Sequence, residues 1–179
     1  LYNLQGDWLK LHDLIETQIG YCAEGDVSRR AELVCDVGQI KEKHLHDVEG
    51  ALACYTKVLA MHPAHRGSLH ALEVYLTHPA YQLQVARVLL PVYEQSFAWP
   101  RALEMYEKIS QVLPADSSER REMCLNMAKI WDEQMQQPEQ AYLTYKRLFE
   151  EDPLNPTICD ELEKFAEKSN NEKELPMLY

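Results

Sequence analysis

The chain has 179 residues and a formal net charge of −11, with 46% hydrophobic residues and only six glycines. This composition excludes a low-complexity or disordered chain, and the excess of Asp and Glu repels phosphate backbones, which argues against nucleic acid as a partner. Ala, Leu, Glu, Gln, Lys and Met dominate. Because these residues favour helices, the sequence predicts an all-α protein.

The cysteines and the ends of the chain bear on where the protein works. The five cysteines form no CxxC pair, so we expect reduced thiols and a cytoplasmic location. No run of about 18 apolar residues occurs, which argues against membrane insertion. The chain starts without Met and ends inside a helical pattern, so we expect a fragment of a longer protein.

Capping and breaking residues divide the sequence into helices joined by short connections. Asp26, Asp47 and the stretch 116–119 have the side chains of helix N-caps, and Pro138 and Pro156 suit a first helical turn. Short connections favour antiparallel neighbours. We expect about nine to ten helices, at residues 7–21, 28–44, 48–61, 64–77, 80–95, 99–112, 117–135, 138–151 and 156–169, with a further start near 172.

A small residue, an aromatic, an aliphatic residue and a proline recur at fixed intervals. In residues 51–65 they are Ala51, Tyr55, Val58 and Pro63. The first three share one helical face, so a second helix can approach closely at Ala51, and Pro63 ends the helix. The same spacing occurs at Ala102, Tyr106, Ile109 and Pro114, and again at Ala141, Tyr145, Leu148 and Pro153.

A longer repeat has a period of 90 residues. Shifting residues 26–73 by 90 positions gives eleven identities in 48 residues, and Trp8 and Trp99 match one position off that register. Such self-similarity indicates stacked helical hairpins. The period contains five helices, however, which is an odd number. If successive helices strictly alternated in direction, each helix of the second copy would run opposite to its equivalent in the first. Residues 77–81 therefore either hide a short extra turn or break the regular stacking.

The recurring Ala-Tyr-(Val/Ile/Leu)-Pro signature resembles the second half of a tetratricopeptide repeat, in units 32–65, 83–116 and 122–155. The longer pattern, with a leading Trp helix such as GDWLKLHDLIE, resembles the large bacterial repeat arrays common in deltaproteobacteria. The resemblance implies a right-handed α-solenoid of antiparallel helix hairpins that spans residues 1–179 as a single superhelical domain.

The first helix of each unit departs from the family. At the eighth position, where the family has a small residue, the outer units have Gln39 and Lys129; at the eleventh, where it has an aromatic, they have Glu42 and Asp132. Only the middle unit keeps an aromatic there, at Tyr93. We therefore expect looser or rotated helix pairing in the outer units.

The resemblance also implies a concave partner-binding face lined by the first helices of the units. Asp36 stands where the family's carboxylate clamp has a base or Asn, and only Asn126 fits that clamp, so a chaperone tail is not the expected partner. Carried over by position, the face comprises Leu33, Asp36, Ile40, Lys43 and His44, then Arg87 and Glu94, then Met123, Asn126, Ile130 and Glu133.

Histidines and cysteines raise the alternatives of a metal site or a nucleophile. The pairs His44/His46 and His62/His65 have no cysteine within five residues, so we interpret them as exposed helix-end residues. Cys35 and His44 lie about 13 Å apart along one predicted helix, too far for a hydrogen bond. The Gly-rich phosphate loop, HExxH and GxSxG patterns do not occur. We therefore expect no enzyme activity, metal or cofactor.

Trp131 differs from the other aromatic residues because its equivalent one repeat earlier is Lys41. The repeat core therefore does not require an aromatic there, so we predict that Trp131 belongs to an interaction surface. Tyr81, Phe97 and Pro100 predict a second surface near the irregular connection. We expect a non-catalytic scaffold for a protein or peptide partner. A self-assembly module, forming homo-oligomers, and a regulatory repeat domain of a larger enzyme are the alternatives.

Overall fold

The computed structural model describes residues 7–23, 25–169 and 171–177, and every regular element in these ranges is helical. The all-α class expected from the composition is therefore confirmed. In chain order the elements are α1 (Trp8–Tyr21), α2 (Val27–Lys43), α3 (Val48–Met61), α4 (Arg66–Tyr75), α5 (Gln82–Gln95), α6 (Trp99–Val112), α7 (Ser118–Lys129), a π-helix (Ile130–Gln134), α8 (Pro138–Glu151), α9 (Pro156–Lys168) and a 3-10 helix (Glu172–Met177).

The chain divides into two compact units, Leu1–Val92 and Tyr93–Tyr179. In the first unit, α1 packs on α2, α2 on α3 and α3 on α4. In the second unit, α6 packs on α7, α7 on α8 and α8 on α9. Helices that are neighbours in sequence are thus neighbours in space, as short connections require. A single right-handed solenoid through both units stays a prediction.

The N-caps follow the sequence signals closely. Asp26 and Asp47 each accept a hydrogen bond from the backbone N–H three residues further on, at 3.2 and 2.9 Å. At α7 the cap is Ser117, whose hydroxyl oxygen accepts from the backbone N of Arg120 at 3.1 Å. These side chains satisfy donors that have no partner inside the helix, which explains why the predicted helix starts lie within a residue or two of the observed ones.

The connection between α4 and α5 forms turns but no helix of its own. The carbonyl of His78 accepts hydrogen bonds from the backbone N of Tyr81 at 3.0 Å and of Gln82 at 2.9 Å. The second bond has α-helical spacing, so the turn leads directly into α5. Residues 77–81 therefore form turns without an extra helix.

Helices α2 and α3 approach each other closely at Gly38. A Cβ atom at this position would lie 2.8 Å from Cε1 of Tyr55, whose side chain is fully buried. Ala128, ninety residues later, is also fully buried. The resemblance places the small residues at positions 39 and 129. In the structure they are Gly38 and Ala128, one position earlier. The close approach at Gly38 argues against looser pairing in the first unit, whereas rotated pairing stays a prediction.

Carboxylates bind the buried tyrosine hydroxyls. Tyr55 donates to Glu42 at 2.7 Å and Tyr75 donates to the other oxygen of the same carboxylate at 2.8 Å. In the second unit Tyr106 donates to Glu94 at 2.5 Å. Burial, reinforced by these carboxylates, raises the pKa of all three phenols, that of Tyr75 to about 12. Glu42 stands where the resemblance predicts an aromatic residue, and it joins α2 to α3 and α4 through these hydrogen bonds.

The turns that follow α2 and the π-helix have the same backbone geometry, ninety residues apart. The backbone N of Leu45 donates to the carbonyl of Ile40 at 3.1 Å, and that of Met135 donates to Ile130 at 3.0 Å. The repeat detected in the sequence is therefore a repeat in the local structure. The next residues, both with positive φ, are His46 (55°) and Gln136 (54°).

Candidate functional site

A groove between α1 and α2 brings together most of the residues predicted for the first unit. It has a volume of about 450 Å³. Its apolar lining includes Trp8, Leu11 and Ile15 on α1. The predicted residues that line it are Asp36, Ile40, Lys43 and His44.

The α2 side of this groove has distinct polar and apolar parts. Ile40 is buried at 6% exposure and packs with Ile15 in one apolar cluster, so it forms floor rather than rim. Asp36 and Lys43 are exposed. Partial desolvation, followed by the charge of Glu32, raises the pKa of Asp36 above its ordinary value. The groove therefore offers an apolar floor with charges of both signs at its edge.

An aromatic stack lies at this groove. The rings of Trp8 and His44 are parallel within 4°, with centroids 3.4 Å apart. The stack ties the first turn of α1 to the end of α2. Leu33, also predicted for this face, packs partly buried against the apolar cluster beside the groove and does not line it.

The residues predicted on α5 have different environments. Arg87 is exposed. Glu94 accepts the hydrogen bond from the Tyr106 hydroxyl, so its carboxylate holds the end of α5 to α6. A partner that contacts the same carboxylate oxygen would compete with that bond.

The residues predicted on α7 and the π-helix also have different environments. Ile130 is 8% exposed, and its carbonyl accepts the π-type hydrogen bond of the turn. Met123 and Asn126 are partly buried and Glu133 is exposed. These four do not line the groove of the second unit, whereas Trp131 does.

The groove around Trp131, here called the Trp131 groove, lies between α6, the π-helix and α8 and has a volume of about 440 Å³. Three buried side chains lie at its base: Leu103, Met127 and Thr144. Its walls are largely apolar. Trp131 and Met135 line one wall, and Pro100 of α6 and Leu143 of α8 line the other.

Charged residues line part of the Trp131 groove. Arg147 Nη1 donates to both oxygens of Glu107, at 3.1 and 3.3 Å, and Nη2 contacts Cys124 Sγ at 3.3 Å. Burial alone lowers the pKa of Arg147, but the hydrogen bonds to Cys124 and Glu107 outweigh it and raise the pKa. Glu104 forms a weaker ion pair, with its Oε1 atom 3.8 Å from Nζ of Lys108.

The sequence singled out Trp131 and, as part of a second surface, Pro100, but not Leu143, Glu107 or Arg147, which line the same groove. Leu143 is 52% exposed, and its equivalent one repeat earlier is Ala53. The signal that could have found it is this difference between repeats, the same signal that singled out Trp131. Arg147 and Glu107 lie forty residues apart in the chain, and no local pattern connects them.

The expectation of exposed helix-end histidines is confirmed for His44 and His46 but wrong for His62 and His65, which are partly buried. His65 caps α4, with Nδ1 accepting from the backbone N of Ser68 at 3.1 Å. Cys35 is 3% exposed, and burial raises the pKa of its thiol, which keeps it protonated. Among the described residues no group of three or more His, Cys, Asp or Glu side chains is arranged to hold a metal ion. No helix in those ranges is long and apolar enough to cross a membrane.

The fold and grooves define an all-helical protein built from packed neighbouring helices. Neither a protein-family model nor a curated protein matches the chain. A solved structure of a mutant form of MamA is similar, with a TM-score of 0.47 and 17% sequence identity over 94% of this chain and 91% of that chain. A match at this level does not assign the chain to a family.

Proposed function

We propose that the protein is a non-catalytic interaction scaffold that holds a peptide segment of a partner protein in the groove between α1 and α2. The observation that carries this proposal is the convergence of Asp36, Ile40, Lys43 and His44 on one groove. The same four residues are among those that the sequence pattern predicts for a partner-binding face.

The chemistry of the groove suits a peptide with an apolar anchor and polar flanks. An apolar side chain entering the groove would displace water from Leu11 and Ile40, which favours binding through the hydrophobic effect. Asp36 and Lys43 would then pair with groups of either sign on the flanking residues, and such rim charges favour specificity more than affinity. Trp8 is held by its stack on His44, so the peptide meets a surface that is already ordered.

A double variant, Asp36→Ala with Lys43→Ala, tests this site without disturbing the apolar floor. Proteins captured from cell extract by the immobilised wild-type chain are purified, and their affinity for each variant is measured by titration calorimetry. We expect the double variant to bind roughly 10-fold more weakly. Lys57→Ala, which removes an exposed lysine of α3 outside the groove, is the matched control. A partner that binds wild type and double variant equally well contradicts the proposed site.

Self-assembly is a second candidate function because several large apolar side chains are exposed. Tyr21, Phe97 and Leu154 are 86%, 74% and 92% exposed, and exposed apolar side chains can serve as contacts between copies. Sedimentation over a range of concentrations tests it. A chain that stays monomeric at high concentration removes this candidate.

A further inference from the structure

The Trp131 groove is independent of the groove between α1 and α2, and its chemistry is different. We propose that it binds a basic amphipathic helix of a partner protein, with apolar side chains of that helix seated between Trp131 and Leu143. The proposal goes beyond the scaffold function proposed above, because it assigns a second site and the kind of segment that fills it.

The apolar character of the groove requires a partner with apolar anchors. Leu143 is about half exposed although it faces the buried side chains of Leu103 and Met127 at the base. Trp residues near the centre of an interface contribute much of its binding energy. Met127 and Met135 add unbranched side chains that adapt to the shape of an incoming residue. The groove therefore provides a pocket for anchors and a surface that adjusts around them.

Trp131 is not required by the repeat core. The backbone N of Gln137 donates to the carbonyl of Trp131 at 2.8 Å, and the backbone N of Asp47 donates to the carbonyl of Lys41 at 2.9 Å. The same helix end thus forms with a lysine at this position in the first unit. The side chain of Trp131 packs partly buried against the apolar core of the second unit and also lines the groove. Since the helix end itself does not require a tryptophan, the part of the side chain that lines the groove is available to a partner.

The surroundings of the groove favour a helical partner over an extended one. The groove is framed by α6, the π-helix and α8, whose interior backbone groups are hydrogen-bonded within their own helices. An extended peptide would find few backbone partners there, whereas a helix satisfies its own donors and acceptors. An amphipathic helix also presents side chains at i, i+3, i+4 and i+7 on one face, which matches a trough between helices.

The net negative charge of the second unit favours a basic helix as the partner. Residues 93–179 contain 18 Asp and Glu against 10 Lys and Arg. At the groove itself Glu107 is paired with Arg147, while Glu104 is half exposed and has only a long contact with Lys108. A Lys or Arg on the partner helix can therefore pair with Glu104, and the field of the whole unit steers cationic segments toward it.

Two substitutions replace groove residues by their equivalents in the first unit. Trp131→Lys introduces the residue found at position 41, and Leu143→Ala introduces the residue found at position 53. Both changes remove apolar surface from the groove, and both residues already occur at equivalent places in the same repeat. Circular dichroism checks that each variant stays helical. Leu143→Ala and Glu104→Gln, which change half-exposed side chains, test the site even where Trp131→Lys lowers stability.

A peptide-display selection provides the probe. A random library of peptides about 15 residues long, enough to form a marginal helix, is selected on the immobilised chain and counter-selected on the Trp131→Lys variant. We expect the recovered peptides to place apolar residues at helical spacing and to carry excess Lys and Arg. Synthetic copies are then titrated by calorimetry at low and high salt.

The expected effects are specific. Trp131→Lys weakens binding roughly 30-fold, Leu143→Ala roughly 10-fold and Glu104→Gln about 3-fold, with the last effect shrinking at high salt. Val112→Ala, which trims an exposed apolar residue of α6 outside the groove, leaves affinity unchanged. Failure to enrich any peptide over the counter-selection overturns the proposal, as does enrichment of acidic or proline-interrupted peptides. Self-association of the wild type that Trp131→Lys abolishes also overturns it, because a second copy is then the occupant.

Discussion

Tyr55 on α3 donates a 2.7 Å hydrogen bond to Glu42 on α2. The other oxygen of that carboxylate accepts the Tyr75 hydroxyl of α4 at 2.8 Å, so one side chain connects three helices. Hydrogen bonds to a charged acceptor are stronger than neutral ones. Glu42 thereby replaces, with polar contacts, the packing that an aromatic at this position would supply.

Replacing Glu42 by alanine should lower the free energy of unfolding by about 2 kcal/mol, because the fully buried Tyr55 hydroxyl loses its acceptor. Glu42→Gln should cost less, about 1 kcal/mol, since one amide oxygen can still accept from one phenol. Urea unfolding monitored by circular dichroism measures both. Glu49→Ala, at an exposed position of α3, is the control, and a Glu42→Ala variant no less stable than this control contradicts the assigned role.

Gly38→Ala should destabilise the protein by about 1–3 kcal/mol, because the new Cβ atom would lie 2.8 Å from the buried ring of Tyr55. The matched change is Gly20→Ala in α1, where a Cβ would meet nothing within 4 Å. Removing backbone freedom there should stabilise by about 0.5–1 kcal/mol. The two glycines thus predict thermal shifts of opposite sign, and shifts of the same sign would contradict the close approach.

Stability should fall as the pH rises above 10. Burial, first of all, raises the pKa of Tyr75 and of Tyr145 from the ordinary value of 10.0 to about 12. The folded protein therefore holds these protons more tightly than the unfolded chain, so the stabilisation is complete below pH 10 and is lost toward pH 12. Tyr75→Phe should reduce this loss. The phenolate absorbance of the folded protein should rise correspondingly late, and complete titration near pH 10 would contradict the prediction.

Arg120→Ala should lower the free energy of unfolding by about 1–3 kcal/mol. The guanidinium of Arg120 donates to Glu151 at 2.5 Å and to the carbonyl of Leu113 at 3.2 Å, which joins the start of α7 to the ends of α8 and α6. Lys164→Ala, which breaks an exposed pair with Glu161, should change stability by less than about 1 kcal/mol. Thermal melts compare the two, and equal effects would show that the Arg120 contacts add nothing.

Local signals predicted the helices well and the grooves only in part. Asp47 was recognised as a cap because its hydrogen bond reaches only three residues along the chain. Gly38 was missed because the family resemblance placed the small residue at position 39, and only the packing of Tyr55 against α2 shows which register is used. Ile40 lines the groove between α1 and α2, but its burial depends on α1, which lies outside its own repeat unit.

By itself, the sequence determined the helical class, the helix boundaries and the 90-residue repeat, because capping, proline and side-chain periodicity act over a few neighbouring residues. The tertiary structure decided that Glu42 serves two tyrosines, that Arg147 pairs with Glu107, and that Trp131 faces Leu143 across a groove. These relationships join residues from different helices, and their geometry depends on how the helices pack rather than on the order of residues within any one of them.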